Sequence, residues 1–70
     1  MVWNLIKNQK DWIRYENSKR REIVTIITYG KRFKWDLEIK EYDSRPILRK
    51  MNITKTTANK LAKSYMKKNN

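Results

Sequence analysis

The sequence predicts an α+β fold, a small antiparallel sheet of three or four strands followed by one C-terminal amphipathic helix. Three observations predict it. Residues 33–40 alternate strictly, with Phe33, Trp35, Leu37 and Ile39 set against Lys34, Asp36, Glu38 and Lys40, the period-two pattern of a strand with one buried and one wet face. Residues 21–29 are rich in β-branched side chains and run into Gly30, the only glycine of the chain, so a hairpin turns at 29–32. From Thr54 onward, Ala58, Leu61, Ala62, Tyr65 and Met66 fall at i, i+3, i+4, i+7 and i+8, one apolar stripe of a helix.

The first strand expected is 12–16, joined to the hairpin by the polar turn Asn17-Ser18-Lys19 and placed by its charge at the sheet edge. The hairpin strands are 21–29 and 33–42. Pairing Thr28 with Phe33 puts Val24 and Ile26 on the face of Trp35 and Leu37; a register one residue different puts Ile23, Ile27 and Tyr29 there instead. Segment 44–53 has two readings, because Pro46 opens a strand as readily as it occupies the first turn of a helix. As a strand, 46–51 is the fourth of the sheet. As a helix, Leu48, Met51, Asn52, Ile53, Ala58 and Leu61 have the spacing of a helix-turn-helix over 44–67, with Asn52 as a turn residue tolerant of positive φ. The final helix spans 54–68, with Thr54 as N-cap and Lys67 and Lys68 at the negative end of its dipole.

Seventy residues make one small domain over 1–70, with 18 Lys+Arg against 7 Asp+Glu and a formal charge of +11. Three Trp, four Tyr, one Phe and eight Ile are too many large apolar groups for a disordered tail. The charge is uneven. Every acid lies between Asp11 and Asp43, and the last 27 residues carry eight Lys/Arg and no acid, the footprint of a densely negative partner. The helix side opposite the apolar stripe holds Lys55, Thr56, Asn59, Lys60, Lys63 and Lys67, a candidate phosphate surface.

Much chemistry is excluded. Without Cys or His there is no disulfide, zinc site, thiol or imidazole mechanism, and one glycine cannot build a phosphate-cradling loop. Asp36 and Glu38 share a strand face, but their alternation with Lys34 and Lys40 reads as cross-strand charge pairing rather than a metal site. No enzyme, metal or cofactor is expected. Residues 1–10 lack the apolar core of a signal peptide, and the longest apolar-leaning run, 23–29, is far short of the roughly 20 residues of a membrane span; the expected location is the cytoplasm, with no membrane partner. Scarce Gly and Ala beside frequent Lys, Asn and Ile suggest an AT-rich source such as a phage or mobile element.

The order hairpin, basic connection, C-terminal helix is similar to the sheet-plus-helix modules of integrase arm-binding domains and plant Apetala2-type domains, which implies a sheet entering a DNA groove. The strand 36–42, alternating acidic and basic residues and leading through a basic loop into a helix, also resembles positive-cofactor-type single-stranded DNA-binding domains. Both resemblances imply nucleic acid.

The expected function is therefore non-enzymatic binding of nucleic acid, DNA before RNA, by one positive surface made from the hairpin tip and the C-terminal segment. Its residues are Lys31, Arg32, Lys34, Arg45, Arg49, Lys50, Lys55, Asn59, Lys60, Lys63 and Lys67. Tyr15, Tyr29 and Phe33, interleaved with Arg14, Lys31, Arg32 and Lys34, are the candidates for base stacking. Trp35 and Tyr65 belong to the core. Trp3 and Trp12 either close the open side of the sheet or join two copies as a homodimer. The alternative function is a phage-type inhibitor that binds an acidic host protein.

Overall fold

The structure is a computed structural model that describes residues 2–29, 34–44 and 46–70. Five strands, β1 (Asn4–Gln9), β2 (Trp12–Asn17), β3 (Glu22–Ile27), β4 (Trp35–Glu41) and β5 (Pro46–Ile53), form one open sheet in chain order, followed by helix α1 (Lys55–Lys68). Each strand is antiparallel to its neighbours. Among the described residues no helix is long and apolar enough to cross a membrane.

The alternation in β4 does what its period requires. Trp35, Leu37 and Ile39 are buried under α1, while Asp36, Glu38 and Lys40 on the other face are only half-buried. In β3, Val24 stands opposite Ile39 and Ile26 opposite Leu37, so these four side chains form the fully buried centre of the core. The ladder is two residues longer-looped than a Thr28–Phe33 pairing, with Ile27 opposite Asp36. A shift of two preserves side-chain parity, so of the two faces left open by the sequence the structure has Val24 and Ile26 inward and not Ile23 and Ile27; Phe33 lies outside the described residues.

Thr54 caps α1 as expected: its backbone is extended and its hydroxyl accepts from the Thr57 N–H at 3.1 Å. The buried helix positions are Ala58, Ala62 and Met66; two alanines let the helix axis approach the sheet closely, while Leu61 and Tyr65 pack at the side. The helix packs on β3, β4 and β5. The space left beside it is filled by Trp3, only 5% exposed, whose ring meets Tyr65 edge-on at 6.2 Å and 71° and whose indole N–H donates to the Asn69 carbonyl at 3.0 Å. Trp3 thus closes the helix side of the sheet, not the open side.

A polar staple holds the same end. Glu22, buried on β3, accepts from the Tyr65 hydroxyl at 2.8 Å and from Arg20 Nε at 3.1 Å, and Asn17 Oδ1 accepts from the Arg20 backbone N–H at 3.0 Å. Burial, then the Glu22 carboxylate, push the Tyr65 phenol above its ordinary 10.0. Buried acid, cation and phenol satisfy one another, so Glu22 is a structural group.

Three expectations are corrected. The sheet has five strands: β1 was not anticipated, because all six of its residues are exposed and a bulge between Leu5 and Lys7 breaks the alternation. β2 is consequently an interior strand and β1 the edge. There is no helix-turn-helix over 44–67, since 46–53 pairs with β4 as the opposite edge strand, where a proline at the strand start costs no ladder bond. Asn52 does adopt positive φ, 58°, but inside β5, where Met51 and Asn52 are the extra residues opposite Asp36.

Candidate nucleic-acid interface

Because α1 lies over one face of the sheet, the other face carries the alternate residues of every strand, and no described element covers it. Cross-strand partners share a face: Lys7 is opposite Arg14, Arg14 opposite Thr25, Thr25 opposite Glu38, and Glu38 opposite Arg49. This row crosses all five strands at mid-sheet. Trp12, two residues before Arg14, and Ile27, two after Thr25, stand beside it towards the β3–β4 connection.

The cations of this face are positioned but not neutralised. The Lys7 ammonium lies 5.0 Å and the Arg14 guanidinium 5.2 Å from the centre of the Trp12 ring, and Arg14 Nε donates to Thr25 Oγ1 at 3.3 Å. A ring and a hydroxyl orient a guanidinium without cancelling its charge. Among the described residues, ion pairs within 4.0 Å form at Arg20–Glu22 and Arg21–Asp43, not at Lys7, Arg14, Lys34 or Arg49. The charge pairing expected of Asp36 and Glu38 is met in register at Glu38 alone, which is opposite Arg49 without contact; Asp36 is opposite Ile27, and its Oδ1 accepts the Asn52 N–H at 3.2 Å and so supports the β5 bulge.

Two adjoining recesses open on this face. One, of ≈ 170 Å³, is lined by Trp12, Arg14, Thr25, Ile27, Tyr29, Asp36, Leu37, Glu38 and Arg49. The second, of ≈ 350 Å³, is lined by Tyr29, Lys34, Asp36, Arg49, Met51 and Asn52. Tyr29, Asp36 and Arg49 border both. Tyr29 is 74% exposed, and the buried indole Nε1 of Trp12 has no hydrogen-bond partner. An unpartnered buried donor is uncommon; the Trp12 side chain as a whole lines the smaller recess.

Of the residues singled out from the sequence, Tyr29, Lys34 and Arg49 come together here. Lys60, Lys63 and Lys67 are exposed on α1, on the far side of the sheet, with Asn59 half-buried between turns. Lys55 sits at the helix start, its ammonium 5.2 Å from the Trp35 ring centre. Lys50 is opposite Leu37 and so on the helix side. Tyr15 is also on that side, opposite Val24, and lines a largely apolar groove of ≈ 360 Å³ with Lys63, Met66, Lys67 and Asn70. Lys31, Arg32, Phe33 and Arg45 lie outside the described residues. The described cations therefore divide between two opposite surfaces, and the helix-free one joins charge to exposed aromatic and recess. Trp12, Arg14 and Lys7 were not picked from the sequence as a unit; the signal for the first two was their i, i+2 spacing in a strand, which puts both on one face.

Comparison of the chain with protein-family models, curated proteins and solved structures gives no match.

Proposed function

We propose that the chain is a nucleic-acid-binding protein, DNA before RNA, and that the helix-free face of its sheet is the binding surface. One observation carries this reading: Lys7, Arg14, Lys34 and Arg49, none in an ion pair within 4.0 Å among the described residues, border a face that also bears Trp12 and the exposed Tyr29. Cations that neutralise phosphates next to aromatic rings that stack bases are what a polyanion of planar bases requires. The exposed lysines of α1 add long-range attraction from the other side, raising the rate of encounter rather than making the contact. No covalent chemistry enters this function.

An electrophoretic shift titration against duplex DNA, single-stranded DNA and RNA at low and raised salt tests it. A complex that weakens as salt rises is expected, because bound phosphates release counterions. No complex with any of the three at about 50 mM salt refutes the reading.

A separate observation favours a second reading, an inhibitor-type protein that docks on an acidic host protein. The groove lined by Tyr15 and Met66 is flanked by Lys63 and Lys67, and residues 44–70 contain no acid; an apolar anchor within an acidic segment would suit it. Binding lost on Lys63→Glu but kept on Arg49→Gln would favour that surface.

A further inference from the structure

The two recesses bear on which nucleic acid the face accepts. Four intervals of about 4.8 Å between five strands make the face about 19 Å across, whereas the major groove of B-form duplex is about 12 Å wide. A two-stranded ribbon enters such a groove; a five-stranded face does not. The row that carries Arg14, Thr25, Glu38 and Arg49 runs across the full width of the sheet to the edge strand β5, so a ligand that touches all of it spans the whole face.

The recess chemistry is also wrong for phosphate and right for bases. Its lining sets Thr25, Ile27 and the acidic residues Asp36 and Glu38 beside Trp12, Tyr29, Arg14 and Arg49. Carboxylates repel a phosphate and accept the N–H and amino groups of a base. In a duplex those base edges are turned inwards or are reached only through the grooves. The cations Arg14 and Arg49 line the same recess.

We propose that this face selects single-stranded nucleic acid, DNA or RNA, and seats two neighbouring unpaired bases in the two recesses that share Tyr29, Asp36 and Arg49. This rests on the nucleic-acid reading above and narrows it. Tyr29 supplies the stacking ring between the two seats, Asp36 and Glu38 accept from base edges, and Arg14 and Arg49 hold the phosphates.

The test is fluorescence anisotropy with end-labelled oligothymidylate and oligouridylate of about 12 nucleotides, within the span of a small single-strand-binding domain, and a duplex with the same number of phosphates at the same salt. The proteins are the full chain and its Tyr29→Ala and Trp12→Phe variants. Tyr29 lies outside the strands and is mostly exposed, so its variant keeps the fold, which circular dichroism checks. Either single strand should bind at least about tenfold more tightly than the duplex, and the stronger arm identifies the source. Tyr29→Ala should weaken single-strand binding about fivefold or more, the effect of one lost stacking partner, and leave duplex binding unchanged. Duplex binding as tight as single-strand binding, or single-strand affinity unmoved in both variants, overturns this inference and leaves the broader nucleic-acid reading standing. Failure of all three probes to bind overturns both.

Discussion

Replacing Arg14 and Arg49 together by glutamine removes two of the four cations placed at the recesses and over the Trp12 ring, Lys7, Arg14, Lys34 and Arg49; Lys40 lies on the same face further along β4. Glutamine keeps part of the aliphatic stem of each arginine, so the change is mainly one of charge. If each of the four neutralises one phosphate of a single strand, the slope of log K against log salt is about −0.7 per contact, or about −2.8 in all. Affinity then falls about fiftyfold between about 50 and 200 mM salt. With two contacts the slope is about −1.4 and the fall about sevenfold over the same range. Anisotropy titration of a labelled oligothymidylate at four salt concentrations measures both slopes. A double variant with the slope of the parent protein refutes the placement of the phosphate contacts. So does a Lys60→Gln, Lys63→Gln variant that halves the slope, since those lysines lie across the sheet from the recesses.

Four further outcomes concern the scaffold. Trp35→Ala removes a buried core ring at the start of β4 and should cost about 3–5 kcal/mol, enough to unfold a domain this small, whereas Lys60→Ala, exposed on α1, should leave the thermal melt unchanged. Thr54→Ala loses the cap bond to the Thr57 N–H and should cost about 1 kcal/mol in chemical denaturation. Asn52→Gly should be neutral and Asn52→Val destabilising by about 1–2 kcal/mol, because φ at this position is 58°. The Tyr65 phenol is held above its ordinary 10.0 by burial and by Glu22, so the protonated form is favoured in the folded state. Its contribution is fully present below the unfolded value and is lost as pH rises through the folded one. The stability gap between the parent protein and Tyr65→Phe should therefore stay constant at neutral pH and narrow above about pH 10, as read from melts across that range.

What could be read from the sequence follows what burial imposes on it. β4 and α1 each have one face against the core, and their periods of two and 3.6 stand out in Trp35, Leu37, Ile39 and in Ala58, Ala62, Met66. The hairpin was legible, but neither its register nor the inward face of β3 was, because Ile23 and Ile27 are as apolar as Val24 and Ile26 and both parities fit the β-branched run. β1 left no trace: an edge strand with every residue exposed and a bulge at its centre has no pattern to keep. β5 was ambiguous for a related reason, since its bulge at Met51 and Asn52 breaks the alternation and only Leu48 and Ile53 are half-buried. At the candidate site, composition marked the chain as basic but could not separate the lysines of α1 from the cations of the open face. That division depends on which face the helix covers. Trp12 is the residue whose role changed most: its place in an apparently terminal segment left it without neighbours, and only β1, by making β2 an interior strand, brings Lys7 over its ring.

The central claim is that nucleic acid meets the helix-free face, and the three tryptophans report on it separately. Trp3 donates its indole N–H to Asn69 beneath the helix end, Trp35 lies in the core under Lys55, and Trp12 lines the smaller recess. In a proton–nitrogen correlation spectrum each indole gives its own signal. On titration with oligothymidylate the Trp12 signal should move, while those of Trp3 and Trp35 stay in place. A bound complex in which the Trp12 signal is still and the backbone signals of Lys55–Lys67 move would contradict the account.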